Sequence, residues 1–255
     1  MIYLYGLLEP GPAPALPLGT LRGVTGPVEV SELPEGWLIH GPADEEEILP
    51  RRRNLLAHTR VLEACLGARA LLPMRFGMVA ADLQAVGQLI ASQQERIVEQ
   101  ADKVRGHVEL GVRVGFPREA ALSATIADDA TLRAEHARLE AMRRPPHFQV
   151  AEFGRRLAEA LDRRRTDAQR RLIAALSGAA ADHVISAPES DVQVLAMEAL
   201  LPRGGEAAFT RAVETASESV RAFAGGAEPV IRIVGPVPAF NFVRLTLTHP
   251  AGEAA

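Results

Sequence analysis

The stretch 107–114 alternates without a fault, with Val108, Leu110, Val112 and Val114 on one side and His107, Glu109, Gly111 and Arg113 on the other. A period of two puts those four apolar residues on one face of a β-strand, and such a face needs a second layer to cover it. The chain that follows supplies one. Phe148, Phe153, Leu157, Leu161, Ala168, Leu172 and Leu176 mark a long helix with Gly178 beyond its end, and Phe209, Val213, Ala216, Val220 and Phe223 mark another, closed by Gly225-Gly226. Val184 and Ile185 lie in a short strand, 192–201 is apolar on both faces and reads as an interior strand, and 230–234 is the next. From Val108 the order is strand, helix, strand, strand, helix, strand, the split βαβ arrangement of a ferredoxin-like sandwich. The alanine- and charge-rich segment at about 115–146, ending at Pro145-Pro146, reads as a helical insertion into it.

The first part of the chain follows a different pattern. Residues 2–8 form a strand by aromatic and branched content, the proline-rich 11–17 is an extended loop, and short apolar runs at 21–25, 28–30 and 37–40 predict strands joined by turns. Acidic residues 44–47 predict a helix start and Pro50 the first turn of its continuation, in which Leu55, Thr59, Leu62 and Leu66 share a face and Gly67 is the stop. In 71–79, read at period two, Met74, Phe76 and Met78 point one way and Arg75, Gly77 and Val79 the other. Pro73 has no amide proton for a ladder, so this segment starts a strand or lies at a sheet edge. Two readings of its apolar face stay open: cover for a neighbouring helix, or an adaptable docking surface made of two thioethers and a ring. Asp82 then caps a helix with Leu83, Val86, Ile90, Ile97 and Val98 on one face, and Gly106 breaks it. These readings give an α+β protein of two domains, 1–103 and 104–255, with the turn 235–243 leading into a last strand at 243–248.

Composition and motifs narrow the function. With 28 basic against 32 acidic side chains the net charge is -4, which argues against nucleic acid or an anionic membrane as the main partner. The split βαβ order is also that of RNA-recognition modules, but Val108, Leu110, Val112 and Val114 offer no aromatic to stack a base. No run reaches the roughly 18 to 20 apolar residues of a membrane span. Glu9-Pro10 ends the first apolar run too early for a signal peptide, and the single cysteine, Cys65, fits a buried thiol in a reducing compartment, so the expected location is cytoplasmic. The seven histidines never stand at metal-ligand spacing, and neither a glycine-rich phosphate loop nor a nucleophile elbow is present. The expectation is a protein with no metal, no cofactor and no enzymatic activity. Arg75, flanked by apolar residues, is expected to pair structurally with Glu63 or Glu109, and Glu159 with Arg163 along a helix.

Five motifs, taken in order, carry a resemblance: Tyr3-Leu4-Tyr5-Gly6, His58 with Val61-Leu62-Glu63, Leu72-Pro73-Met74-Arg75-Phe76-Gly77, the strand 106–114, and Gly235-Pro236 through Phe242-Val243. Across nearly its whole length the chain resembles the gas vesicle synthesis proteins of the F/L family. Their last motif usually reads glycine-proline-tryptophan-proline-proline-tyrosine. Here Val237, Ala239 and Phe240 replace the tryptophan, second proline and tyrosine, while Pro236, Pro238, Asn241 and Phe242 keep the frame. The resemblance implies two α+β domains without catalytic residues, serving assembly of gas vesicles, the protein-walled buoyancy organelles of some bacteria and archaea. A shell of small, very apolar subunits must be kept from aggregating before it closes, so the implied role is a chaperone-like or nucleating protein that binds the shell subunit and other accessory proteins. Such a protein either leaves the finished vesicle or is retained in it. The expected partner-binding residues are Met74, Arg75, Phe76 and Met78 with Pro238, Phe240 and Phe242. That apolar surface also permits self-association. The alternative is a regulatory protein binding a small ligand through its ferredoxin-like half.

Overall fold

The computed structural model describes residues 1–17, 21–67 and 69–245. They divide into two compact units, Met1–Glu109 together with the chain from Pro236 onward, and Leu110–Gly235.

In the first unit the buried strand β1 (Ile2–Leu8) is the centre of a sheet. It pairs antiparallel with β3 (Gly36–Pro42) on one side, with β2 (Glu29–Leu33) beyond, and with β4 (Leu71–Pro73) and β5 (Val79–Ala80) on the other. The register of β1 on β3 slips between Leu4 and Gly6, leaving Tyr5 as the extra residue of a bulge. Where 21–25 suggested a strand there is one isolated bridge, Arg22 to Pro27, closed by the Gly23 amide donating to the Gly26 carbonyl. The turn before β3 is tight. Gly36 sits at φ +144°, and a Cβ there would come within 2.0 Å of the Leu8 carbonyl oxygen, so only glycine lets the turn press against the end of β1.

Helix α1 (Arg52–Ala64) starts after the acidic 44–47, which stay irregular. Its buried face is His58, Val61 and Leu62, continued by Cys65; of the expected Leu55, Thr59, Leu62 and Leu66, only Leu62 is fully buried. Leu55 is 41% exposed. The expected long helix after Asp82 is two, α2 (Leu83–Ala91), capped by Asp82 accepting from the Ala85 amide at 2.8 Å, and α3 (Gln94–Val104). The break at Ser92-Gln93 resets the rotation, so Ile97, Ala101 and Val104 are buried while Val98 is 53% exposed.

The second unit is built on β6 (His107–Gly115), β7 (Asp182–Ile185), β8 (Gln193–Pro202) and β9 (Val230–Val237), in the sheet order β7-β8-β6-β9. Between β6 and β7 run α4 (Arg118–Asp128), α5 (Ala130–Glu140) and the long α6 (His147–Leu176). Asp129 starts α5 by accepting from the Thr131 and Leu132 amides. Leu110, Val112 and Val114 share a core with Leu161, Leu172 and Leu176 of α6 and with Phe209 and Val213 of α7 (Glu206–Glu218). Phe223 reaches that core from a 3₁₀ turn, Arg221–Ala224, since α7 ends earlier than its sequence pattern. β8 is buried from Gln193 to Leu201 and tolerates Glu198 because Arg113 donates to its carboxylate. Glu159 pairs with Arg155 and not with Arg163.

The division differs from the one expected at Lys103, with everything from 104 in the second domain. The closing segment belongs with the first unit because its donors find acceptors there. The Asn241 amide and Nδ2 donate to the buried Glu109 carboxylate at 2.8 and 2.6 Å, and the Arg244 amide donates to Gln100 Oε1 at 3.0 Å. Lys103 Nζ stands 5.6 Å from the centre of the Phe242 ring. Val243 to Leu245 are irregular, and 246–248 of the expected last strand lie outside the described residues.

Gly36→Ala should lower stability by about 2 kcal/mol or more, since it combines left-handed strain with a backbone clash. Asp82→Ala, which removes one cap, should cost about 1 kcal/mol. Urea denaturation of the two variants checks the contrast.

Candidate functional site

The stretch 71–79 is not one strand. The chain takes six residue steps from Pro73 to Val79 while β1 takes three from Gly6 to Tyr3, so the middle of the segment is pushed out of the sheet. Pro73 does lie at a sheet edge, as its missing amide proton requires. Beyond it the Met74 amide donates to the Tyr5 carbonyl, the Leu4 amide to the Met78 carbonyl, and the turn between them is made by Gly77 at φ +89°. The alternation of Met74, Phe76 and Met78 on one face is thereby lost. Met74 is 1% exposed, Phe76 and Met78 are half-buried, and Arg75 is exposed.

What holds this outward loop is a buried polar chain. The Met74 carbonyl can only accept, so His58 Nε2, at 3.1 Å, carries the proton and donates to it. His58 Nδ1 is then the acceptor for the Tyr3 hydroxyl at 2.8 Å, and that hydroxyl in turn accepts from the Gly77 amide at 3.2 Å. Each polar atom in the chain has a partner of the right kind. The Tyr5 ring stacks on the His58 ring with centroids 5.5 Å apart, Phe76 meets that ring edge-on at 5.7 Å, and the Tyr5 hydroxyl accepts from the Val24 amide. Burial lowers the His58 pKa to about 4, outweighing the favourable bond to Met74, so the imidazole is neutral at pH 7. Burial likewise pushes the Tyr3 hydroxyl upward and the Cys65 thiol to about 12.

The sequence reading did not give His58 this place, although its spacing to Val61, Leu62 and Cys65 is the helical signal that carries it. Beside this network opens a cleft of about 320 Å³, walled by Leu55, Thr59, Met74, Phe76, Phe240 and Leu245. Of the expected partner-binding residues, Met74, Arg75, Phe76 and Phe240 come together here; Met78, Pro238 and Phe242 do not line it. Phe242 and Pro238 are buried. Arg75 pairs with neither Glu63 nor Glu109; Glu109 instead receives Asn241. Among the described residues no group of three histidine, cysteine, aspartate or glutamate side chains could hold a metal ion, and no helix is long and apolar enough to cross a membrane.

Fold and cleft together define an α+β protein of two units whose first unit opens an apolar cleft rimmed by one exposed guanidinium. The sequence matches the model of the gas vesicle synthesis protein GvpL/GvpF family over residues 1–244. Gas vesicle protein F of a Streptomyces species is 28% identical over 244 residues, a match covering 94% of this chain and 98% of that protein. The crystal structure of gas vesicle protein GvpF from Microcystis aeruginosa is 25% identical, covers 96% of this chain and 99% of its own, and superposes with a TM-score of 0.73. GvpF from an Anabaena species shares the fold, with a TM-score of 0.75 at 24% identity and coverage of 97% and 98%. The chain belongs to the GvpL/GvpF family of gas vesicle synthesis proteins, which places it in gas vesicle formation.

The neutral His58 makes stability depend on pH. Its unfolded-state pKa is the ordinary 6.5 and its folded pKa about 4, so the unfolded chain binds the extra proton between these values. The contribution is complete above pH 6.5 and is lost as pH falls towards 4, by roughly 3 kcal/mol in all. His58→Gln, which keeps a donor for the Met74 carbonyl and has no proton to gain, should show a shallower loss between pH 7.5 and 4.5 by about 2 to 3 kcal/mol in urea denaturation.

Proposed function

We propose that this chain is a non-enzymatic accessory protein of gas vesicle assembly that binds the apolar shell subunit through the Phe76 and Phe240 cleft, as a chaperone or nucleating component. The observation that carries this reading is that two segments far apart in sequence, around Arg75 and around Phe240, meet at one apolar cleft. Apolar walls give contact area without a fixed hydrogen-bond pattern, which suits a partner whose own surface is very apolar. The exposed Arg75 at the rim would select a segment that carries a carboxylate beside its apolar residues. In this reading the protein acts in the cytoplasm and at the gas vesicle, alongside other accessory proteins. In the same reading the second unit is a ferredoxin-like domain.

Met74 is core, and its truncation would cost about 2 to 5 kcal/mol of stability, so it is a poor probe of binding. The test is co-expression with the shell subunit, followed by pull-down and size exclusion. The wild-type chain should yield a soluble complex. The double variant Phe76→Ala, Phe240→Ala, folded by circular dichroism, should lose about tenfold or more in affinity. Undiminished binding by that folded variant would remove the cleft as the docking site, and absence of any complex with the wild type would remove the shell subunit as the partner.

A further inference from the structure

Helix α1 has an outward face as well as a buried one. Leu55 and Leu56 stand there 41% and 44% exposed. Arg52 and Arg60, both exposed, lie four positions before and four after Leu56, so one ridge of the helix reads guanidinium, leucine, guanidinium. Among the described residues neither Arg52 nor Arg60 has an ion-pair partner, Glu63 of the same helix included, and nor has Arg75 at the cleft rim. This placement works against α1 itself. Arg51, Arg52 and Arg53 crowd its N-terminal end, where the helix dipole favours carboxylates, and no side chain caps it. Arg51 and Arg53 line a hollow with Asp44 and Glu45; Arg52 does not. Local stability therefore does not account for Arg52, whereas a carboxylate brought by a partner would. The apolar part of the face runs on into the cleft, since Leu55 walls it together with Phe76 and Phe240.

We infer that the strip from Leu56 over Leu55 to Phe76 docks an amphipathic helix of a partner protein, one whose apolar stripe is bordered by carboxylates. The inference rests on the cleft as the docking site and adds which element of the partner is read there. Arg52 and Arg60 are eight positions apart, about 12 Å along α1, and two carboxylates two turns apart on a partner helix span the same distance. The leucines give such a helix its apolar contact, and the guanidiniums fork onto the carboxylates beside it. Lysines in those places would meet like charge and be rejected.

The test is fluorescence anisotropy of the full chain with two labelled helical peptides of about 18 residues, identical in a leucine stripe and bordered by glutamate in one and lysine in the other. The glutamate peptide should bind saturably and about tenfold or more tighter than its lysine twin, with the gap narrowing between about 0.05 and 0.5 M salt. Arg52→Glu with Arg60→Glu changes only exposed side chains and should reverse the order of the twins. Leu55→Ser with Leu56→Ser should weaken both by about tenfold. No saturable binding, equal affinity of the twins, an unreversed order, or full affinity in the serine variant would overturn the inference and leave the shell-subunit test unaffected. Undiminished peptide binding by the folded Phe76→Ala, Phe240→Ala variant, with the order of the twins kept, would instead remove the cleft and retain recognition by α1.

Discussion

A neutral imidazole sealed between a hydroxyl and a carbonyl is the interaction on which the first unit depends. His58 fixes three things together: the rotation of α1, because its ring must face β1; the outward course of the chain after Pro73, because the Met74 carbonyl is its acceptor; and the turn at Gly77, because the Tyr3 hydroxyl that serves His58 also takes the Gly77 amide. A buried chain of this kind admits only one tautomer and one direction of donation. The apolar packing around it would tolerate small slips of register; the hydrogen bonds do not. The cleft beside it inherits that precision, since Met74 and Phe76 are placed by the same network.

The second unit reaches its fold by different means. Its strand β6 presents aliphatic residues to two long helices, and β8 is buried along almost its whole length. Its one strongly polar core element, Glu198, is matched by Arg113 on the neighbouring strand. Here hydrophobic pattern decides nearly everything.

That contrast explains what could be seen in the sequence. Val108, Leu110, Val112 and Val114, the runs at 192–201 and 230–234, and the apolar faces of α6 and α7 are periodic signals, and periodicity reports burial directly. The first unit resisted because its geometry is set by polar pairs between distant residues, Tyr3 with His58 and Glu109 with Asn241, which leave no local period. Met74, Phe76 and Met78 alternate in the sequence, but three extra residues opposite β1 break the strand. Of the expected face of α1, Leu55, Thr59, Leu62 and Leu66, only Leu62 is fully buried, because the helix turns His58, Val61 and Cys65 towards the sheet. Arg75 and Phe76 do share a cleft with Phe240, which lies far from them in the sequence.

The Glu109 carboxylate takes two donors from Asn241, 132 positions later in the chain. The first unit is therefore discontinuous, with the whole of Leu110–Gly235 inserted before its last piece. On the ribosome the second unit can emerge and fold from a contiguous stretch, while the first waits for the segment from Pro236 to complete it. The Phe240 wall of the cleft arrives with that same closing segment. A chain synthesised no further than Gly235 thus lacks one wall of the cleft.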